Sequence, residues 1–303
     1  MKKVVKKNKL RYILLTVLAL IFILFVLLPI TFSLLETPSG NVALIPLEGV
    51  ITSNGGSYLG ESTISSKDIV KFIEEADENN QIKVIVLEIN SPGGTPVGSD
   101  EIATAIKKTE KPVISVIRET GASGAYWIAS SSDYIIANKM SITGSIGVVS
   151  SYLEFSGLME KYGVGYERLI AGEYKDIGVP YRKLTVKEEQ KMQNLLDKLH
   201  DFFIEEVAIN RNMEINEIKK LATGEVFLGI EALDLGLVDE LGDLSTAEDY
   251  IKENYNLTEI GFVTYAKETG FLGSLLGLTN SFSYNIGEGL GSVFVKRENL
   301  IMI

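Results

Sequence analysis

Residues 12–35 run for 24 positions without a charged side chain, and apart from Thr16, Pro29, Thr31 and Ser33 they are aliphatic or aromatic. At about 1.5 Å of rise per residue, a helix of that length outreaches a hydrocarbon layer of about 30 Å, even when tilted. The stretch is therefore read as a membrane anchor. Lys2, Lys3, Lys6, Lys7, Lys9 and Arg11 precede it and Glu36 follows it. That asymmetry predicts a cytoplasmic N-terminus and an extracytoplasmic body, in a single-pass protein of the cell membrane. A cleaved signal peptide is the alternative, but the run exceeds a typical signal-peptide core and Thr31-Phe32-Ser33-Leu34-Leu35 lacks a small-x-small exit. The expected division is a basic segment at 1–11, the anchor at 12–35, a linker at 36–41, a globular domain at 42–264 and a C-terminal tail at 265–303.

Composition narrows the chemistry of that domain. The chain has no cysteine and one histidine, His200. Thiolate chemistry is excluded, a zinc site needing several imidazoles cannot be assembled within one chain, and a Ser-His-Asp triad would have to recruit His200. No metal is expected. The 29 Lys and Arg stand against 40 Asp and Glu; without the six basic residues of the first eleven, 23 face 40, a net charge of −17. A body so acidic repels nucleic-acid phosphate, so the basic cluster is read as flanking a membrane. No Gly-x-x-x-x-Gly-Lys occurs, and Gly287-Glu288-Gly289-Leu290-Gly291 follows no convincing strand. No nucleotide or other cofactor is expected.

Beyond the linker, apolar runs alternate with helical patterns. Strands are predicted at 42–51, 82–89, 112–117 and 134–137, and helices at 66–77, 99–108 and 122–130. Strands separated by helices of about ten residues imply βαβ units and a helix-covered sheet, an α/β fold. Thr185 opens a long helix to 210, with Glu188 completing a capping box and Met192, Leu195, Leu196, Leu199, Phe203 and Val207 on one face. His200 lies inside that helix and is read as a structural residue.

Two turns of small residues each follow a strand and precede a helix. In Asn90-Ser91-Pro92-Gly93-Gly94 the glycine pair allows backbone N–H groups to approach a developing negative charge, although the segment by itself reads first as a plain strand-to-helix turn. Gly121-Ala122-Ser123-Gly124-Ala125 places a hydroxyl at the opening of a helix among residues no larger than alanine. That suits an acyl-transfer nucleophile, and it suits a helix N-cap as well. Ala125 stands where the nucleophile-elbow motif has its final glycine.

Taken in order, Asn90 to Gly94, Ala122-Ser123-Gly124 before an aromatic pair, Thr143-Gly144-Ser145-Ile146-Gly147, Tyr174-Lys175-Asp176 and Pro180 resemble the signal peptide peptidase A family of membrane-anchored serine proteases. The similarity extends over residues 42–243 and includes Gly224-Glu225-Val226-Phe227 and the run from Ala232 to Gly242. It departs at Ala125, where the family usually has glycine, at Trp127 in one aromatic place, and in carrying one copy of a unit that longer members have in tandem. The resemblance implies a fold of the crotonase and Clp-protease type, built from repeated ββα units, and catalysis by a Ser-Lys dyad. Ser123 would be the nucleophile and Lys175, 52 residues downstream as in shorter members, the general base. Gly94 and Gly124 would supply the oxyanion hole and Ser145 would orient the lysine. A lysine is a base only when neutral, so its site must be desolvated, and the side chain of neighbouring Asp176 must point away.

The implied activity is endopeptidase cleavage of signal-peptide remnants or other short apolar peptides. Rings or domes of identical subunits would enclose the site, with catalytic residues supplied across an interface. Two other classes stay open at this point: a crotonase-type acyl-CoA enzyme, against which the anchor and the acidic body argue, and a catalytically silent membrane scaffold. The apolar segments of the tail, 271–278 and 299–303, would touch membrane, subunit or substrate groove.

Overall fold

The computed structural model describes residues 12, 15–27, 40–58 and 61–267. Within the apolar run, residues 15–22 are α-helical and Ile23–Leu27 continue as a π-helix. Among the described residues no helix is long and apolar enough to cross a membrane. The rest of the expected anchor, residues 1–11, linker residues 36–39 and the tail beyond 267 lie outside the described residues.

The globular part is an α/β fold. Its strands are β1 (Val42–Glu48), β2 (Val50–Thr52), β3 (Gly56–Tyr58), β4 (Glu61–Ser65), β5 (Val84–Ser91), β6 (Val113–Ala122), β7 (Tyr134–Ala137), β8 (Ile142–Gly144), β9 (Val226–Leu228), β10 (Glu240–Leu241) and β11 (Phe262–Thr264). Its helices are α1 (Ser66–Glu78), α2 (Pro96–Lys108), α3 (Gly124–Ser130), α4 (Ser156–Lys161), α5 (Val186–Asn210), α6 (Ile215–Leu221), α7 (Gly229–Asp234) and α8 (Leu244–Tyr255). The main sheet runs β10-β7-β6-β5-β1-β11, parallel throughout. β8 extends it, parallel to the end of β6 and antiparallel to β9. A small second sheet has the order β2-β4-β3.

Both faces of the main sheet are buried, as a parallel sheet requires. Alternate strand residues separate accordingly. Ala43, Ile45, Leu47, Ile85, Leu87 and Ile117 join the larger core, which includes residues of α1, α2, α3 and α5. Val42, Val84, Val86, Ile114, Val116 and Ile136 face the other way, onto Ala247 and Ile251 of α8.

Three of the boundaries that differ from the sequence reading bear on the site. The strand expected over 42–51 is two strands in two sheets, because Gly49 between them takes φ +99 and turns the chain. The helix expected from 99 begins three residues earlier, with Pro96 in its first turn and the Thr95 hydroxyl accepting from Gly98 N at 3.3 Å. The helix expected from 122 begins at Gly124, since β6 runs on to Ala122. The long helix is Val186–Asn210, with Thr185 and Glu188 forming the capping box.

Candidate active site

Adjacent parallel strands bring their C-terminal ends together, and ligand sites of open α/β sheets lie at that edge. β5 and β6 are such neighbours, with Ser91 in register with Gly121. The turns that follow them therefore meet. A Cβ on Gly93 would lie 2.8 Å from Gly124 N and 2.9 Å from Ser123 Cβ, so only glycine lets the turns interlock; its φ is +102. A Cβ on Gly124 would lie 2.2 Å from Ser99 Oγ and 3.3 Å from Gly94 N. Ser99, buried on α2 with its hydroxyl donating to Thr95 O at 3.1 Å, thus fills the space beneath the turn. Sequence reasoning passed over it, because a buried helix serine carries no motif.

Ser123 stands at φ +54, ψ −127, a conformation that non-glycine residues rarely adopt and that costs about 1–3 kcal/mol. Its N–H donates to Gly144 O at 2.8 Å, and its carbonyl accepts from Trp127 N at 3.0 Å. The side chain makes no capping hydrogen bond, although the residue occupies the N-cap position of α3. Of the two readings open for Ser123, the cap is therefore not realised. The residue is half-buried and lines a cavity of about 340 Å³. Gly94 and Gly124 line the same cavity, and among the described residues neither amide N–H has an acceptor. Two unpaired donors beside a hydroxyl form the arrangement that stabilises a tetrahedral oxyanion.

The cavity wall is apolar, formed by Trp127, Met192, Leu195, Leu196, Leu199 and Phe203. Trp127 stacks on Phe203, ring centroids 5.1 Å apart. The apolar face of α5 is thus divided: Phe203 and Val207 are buried in the core, whereas Leu195 is 53% exposed. A hydrophobic stripe reports which face is apolar and not what covers it. The Nε2 atom of His200 is buried without a hydrogen-bond partner, and the residue does not line the cavity.

The Thr143 to Gly147 motif reaches the site through β8. Ser145 follows the Gly144 carbonyl that holds Ser123 N, has φ +51, and donates its hydroxyl to Gly224 O at 3.4 Å. Its N–H donates to Glu225 O at 2.8 Å. This explains why the Gly224 to Phe227 run accompanies the site: it leads into β9, which pairs with β8.

Lys175 is the sequence-predicted residue that this chain alone does not bring in. It is exposed, does not line the cavity, and its amine makes no hydrogen bond or ion pair among the described residues. The desolvated surroundings expected for it are not formed by its own chain. Asp176 beside it is engaged elsewhere, by Arg168 and by Arg182. Those hydrogen bonds, Arg168 first, hold its carboxyl well below the usual range. A larger cavity, about 730 Å³, lies between Glu88, Arg118 and Asp243, and Ser123 is not among its lining residues.

Residues 105–258 match the family model described as peptidase family S49. A protein of Methanocaldococcus jannaschii that carries a protease name is 32% identical, over 82% of this chain and 80% of that one. One of Enterococcus faecium carrying the name signal peptide peptidase SppA is 36% identical, over 82% of this chain and 74% of its own. The chloroplastic serine protease SPPA of Arabidopsis thaliana is 31% identical over 72% of this chain and a third of its own length. The chain belongs to peptidase family S49 and is a serine peptidase of the signal peptide peptidase A family.

Proposed function

We propose that the chain is a membrane-anchored serine endopeptidase of crotonase and Clp-protease architecture, which uses Ser123 and Lys175 to degrade cleaved signal peptides or other short apolar peptides. The observation that carries this reading is the uncapped Ser123 hydroxyl, held at φ +54 beside the unpaired Gly94 and Gly124 amides at an apolar cavity. Ser123 Oγ attacks the scissile carbonyl carbon and its proton passes to the neutral Lys175 amine. The two amides receive the charge on the carbonyl oxygen, and the lysine returns the proton to the departing amine. Water then cleaves the acyl-enzyme by the same route in reverse, and Ser145 orients the lysine.

Since Lys175 is exposed in the single chain, the dyad is completed between identical subunits. An almost unburied arm supports this: no residue from 149 to 173 is buried, and Val149, Leu153, Tyr162 and Leu169 present apolar surface that a second copy would cover. The anchor is residues 12–35, with the body on the extracytoplasmic side.

A fluorophosphonate probe tests the nucleophile directly. Intact-mass measurement should show one adduct per chain, mapping to Ser123; an unlabelled or elsewhere-labelled protein would overturn the assignment. Lys175→Ala should abolish turnover. kcat/KM should rise with pH and then level, because only the neutral amine accepts the proton, and His200→Gln should leave that profile in place.

A further inference from the structure

The segment that carries Lys175 ends in a four-residue charge network. Asp176 Oδ2 accepts from Arg168 Nε at 2.5 Å and Arg182 Nε at 3.1 Å, and Oδ1 accepts from Arg168 Nη2 at 2.6 Å and Arg182 Nη2 at 3.0 Å. Arg182 also donates to both oxygens of Glu188, at 2.6 and 2.8 Å. Glu188 in turn accepts from Thr185 N at 2.8 Å and caps α5. Two guanidinium groups thus face two carboxylates, a net charge of zero. The pairing is tight for a surface: the side chains of Asp176 and Glu188 are 10% and 5% exposed.

We propose that Arg168 and Arg182 are positioning residues for the peptidase reaction: they cancel the carboxylate that follows Lys175 in the chain and so keep the Lys175 amine without an acidic partner. The inference rests on Lys175 being the base. A carboxylate within about 4–6 Å of an amine favours the ammonium, and an ammonium accepts no proton from serine. Asp176 directly follows Lys175 in the chain, and the arginines hold its carboxylate. Here each of its oxygens already accepts two guanidinium N–H groups, so its charge is met by two cations in a fixed geometry.

The remaining charged and titratable groups around the segment do not substitute for the arginines. Glu173 and Tyr174 share its loop, and Tyr174 lies under Lys191 of α5, with Nζ 4.5 Å from the ring centre. Lys183 lies toward Glu154. Glu188 is already occupied by Arg182. Removing one arginine therefore leaves one uncompensated negative charge next to Lys175.

Arg168 is the cleaner position to test, because its side-chain hydrogen bonds go to Asp176 alone, whereas Arg182 also supports the α5 cap. The measurement is kcat/KM against pH for the full chain on a fluorogenic apolar peptide. Arg168→Gln should move the ascending limb up by about one pH unit, about a tenfold loss below the limb that vanishes on the plateau. Arg168→Lys, which keeps the charge, should return the limb, and so should Asp176→Asn placed in the Arg168→Gln background. An unmoved limb in Arg168→Gln, or a loss equal at every pH that neither second change repairs, overturns the proposal. Lys175→Ala separates the two levels. If it keeps turnover, the base assignment fails; if it is inactive while the Arg168→Gln limb stays in place, only the role of the arginines fails.

Discussion

Ser123 sits in a backbone region where a Cβ is strained, and its side chain does nothing to stabilise the helix it opens. A serine kept there under both conditions serves chemistry better than folding. The two roles come apart on substitution. Ser123→Ala should lose turnover by at least about 10³-fold with its circular dichroism unchanged, since the turn is shaped by its glycines. Ser123→Gly should be equally inactive yet more stable than Ser123→Ala by about 1 kcal/mol in urea unfolding, because glycine adopts φ +54 without penalty. Equal stabilities would show that the turn is unstrained, and surviving turnover in either variant would remove Ser123 from the reaction.

Helix α5 serves three purposes along one length. Its first turn fastens the segment bearing Lys175, its middle walls the cavity, and its last turns belong to the core. Leu195→Ser should raise KM for apolar peptides with little change in stability, since the residue is 53% exposed. Phe203→Ala should instead cost about 3–5 kcal/mol of stability, as the ring is 2% exposed and stacked on Trp127. Thermal and urea unfolding alongside peptide kinetics would separate the two, and reversed effects would contradict the division of the helix.

At its first turn the Glu188 carboxyl is lowered from its ordinary 4.5 to about 2, first by hydrogen bonds from Arg182 and then by Thr185 N–H. A depressed folded-state value means that the contribution to stability is complete above about pH 4.5 and disappears as pH falls through about 2. Asp176, depressed by Arg168 and Arg182, acts in the same direction. Urea midpoints should decline on acidification through that window. Glu188→Gln should be less stable at neutral pH and decline less steeply; a parallel decline would mean that Glu188 carries none of the effect.

For the whole molecule, the proposed dyad turns on where its two residues come from. Ser123 rests on a core formed by its own chain, whereas Lys175 lies on a segment that is hardly buried. If subunits exchange these parts, Ser123→Ala and Lys175→Ala chains, each inactive, should regain activity when co-assembled. Equal mixing should restore about a quarter of the wild-type sites, because each site draws its two residues from two chains at random. Persistent inactivity of the mixture, with co-assembly shown by chemical cross-linking, would place both residues within one chain.

Much about this protein was settled by local features of the chain. Alternating strand and helix patterns specified an α/β sheet, Thr185 and Glu188 specified the start of α5, and small residues at 90–94 and 121–125 marked the two turns. These signals are legible because each arises from neighbours a few residues apart. The setting of Ser123, the proposed nucleophile, depended on more than that. Whether Ser123 caps its helix or faces a cavity is decided by φ +54 and by the packing of Ser123 on Gly93 and of Gly124 on Gly94 and Ser99, which come from another strand-helix unit. The change of sheet at Gly49, the exposed middle of α5 and the capture of Asp176 by Arg168 and Arg182 were likewise decided only in three dimensions. Periodicity records which side chains avoid water, but which surface covers them is determined by segments far away in sequence.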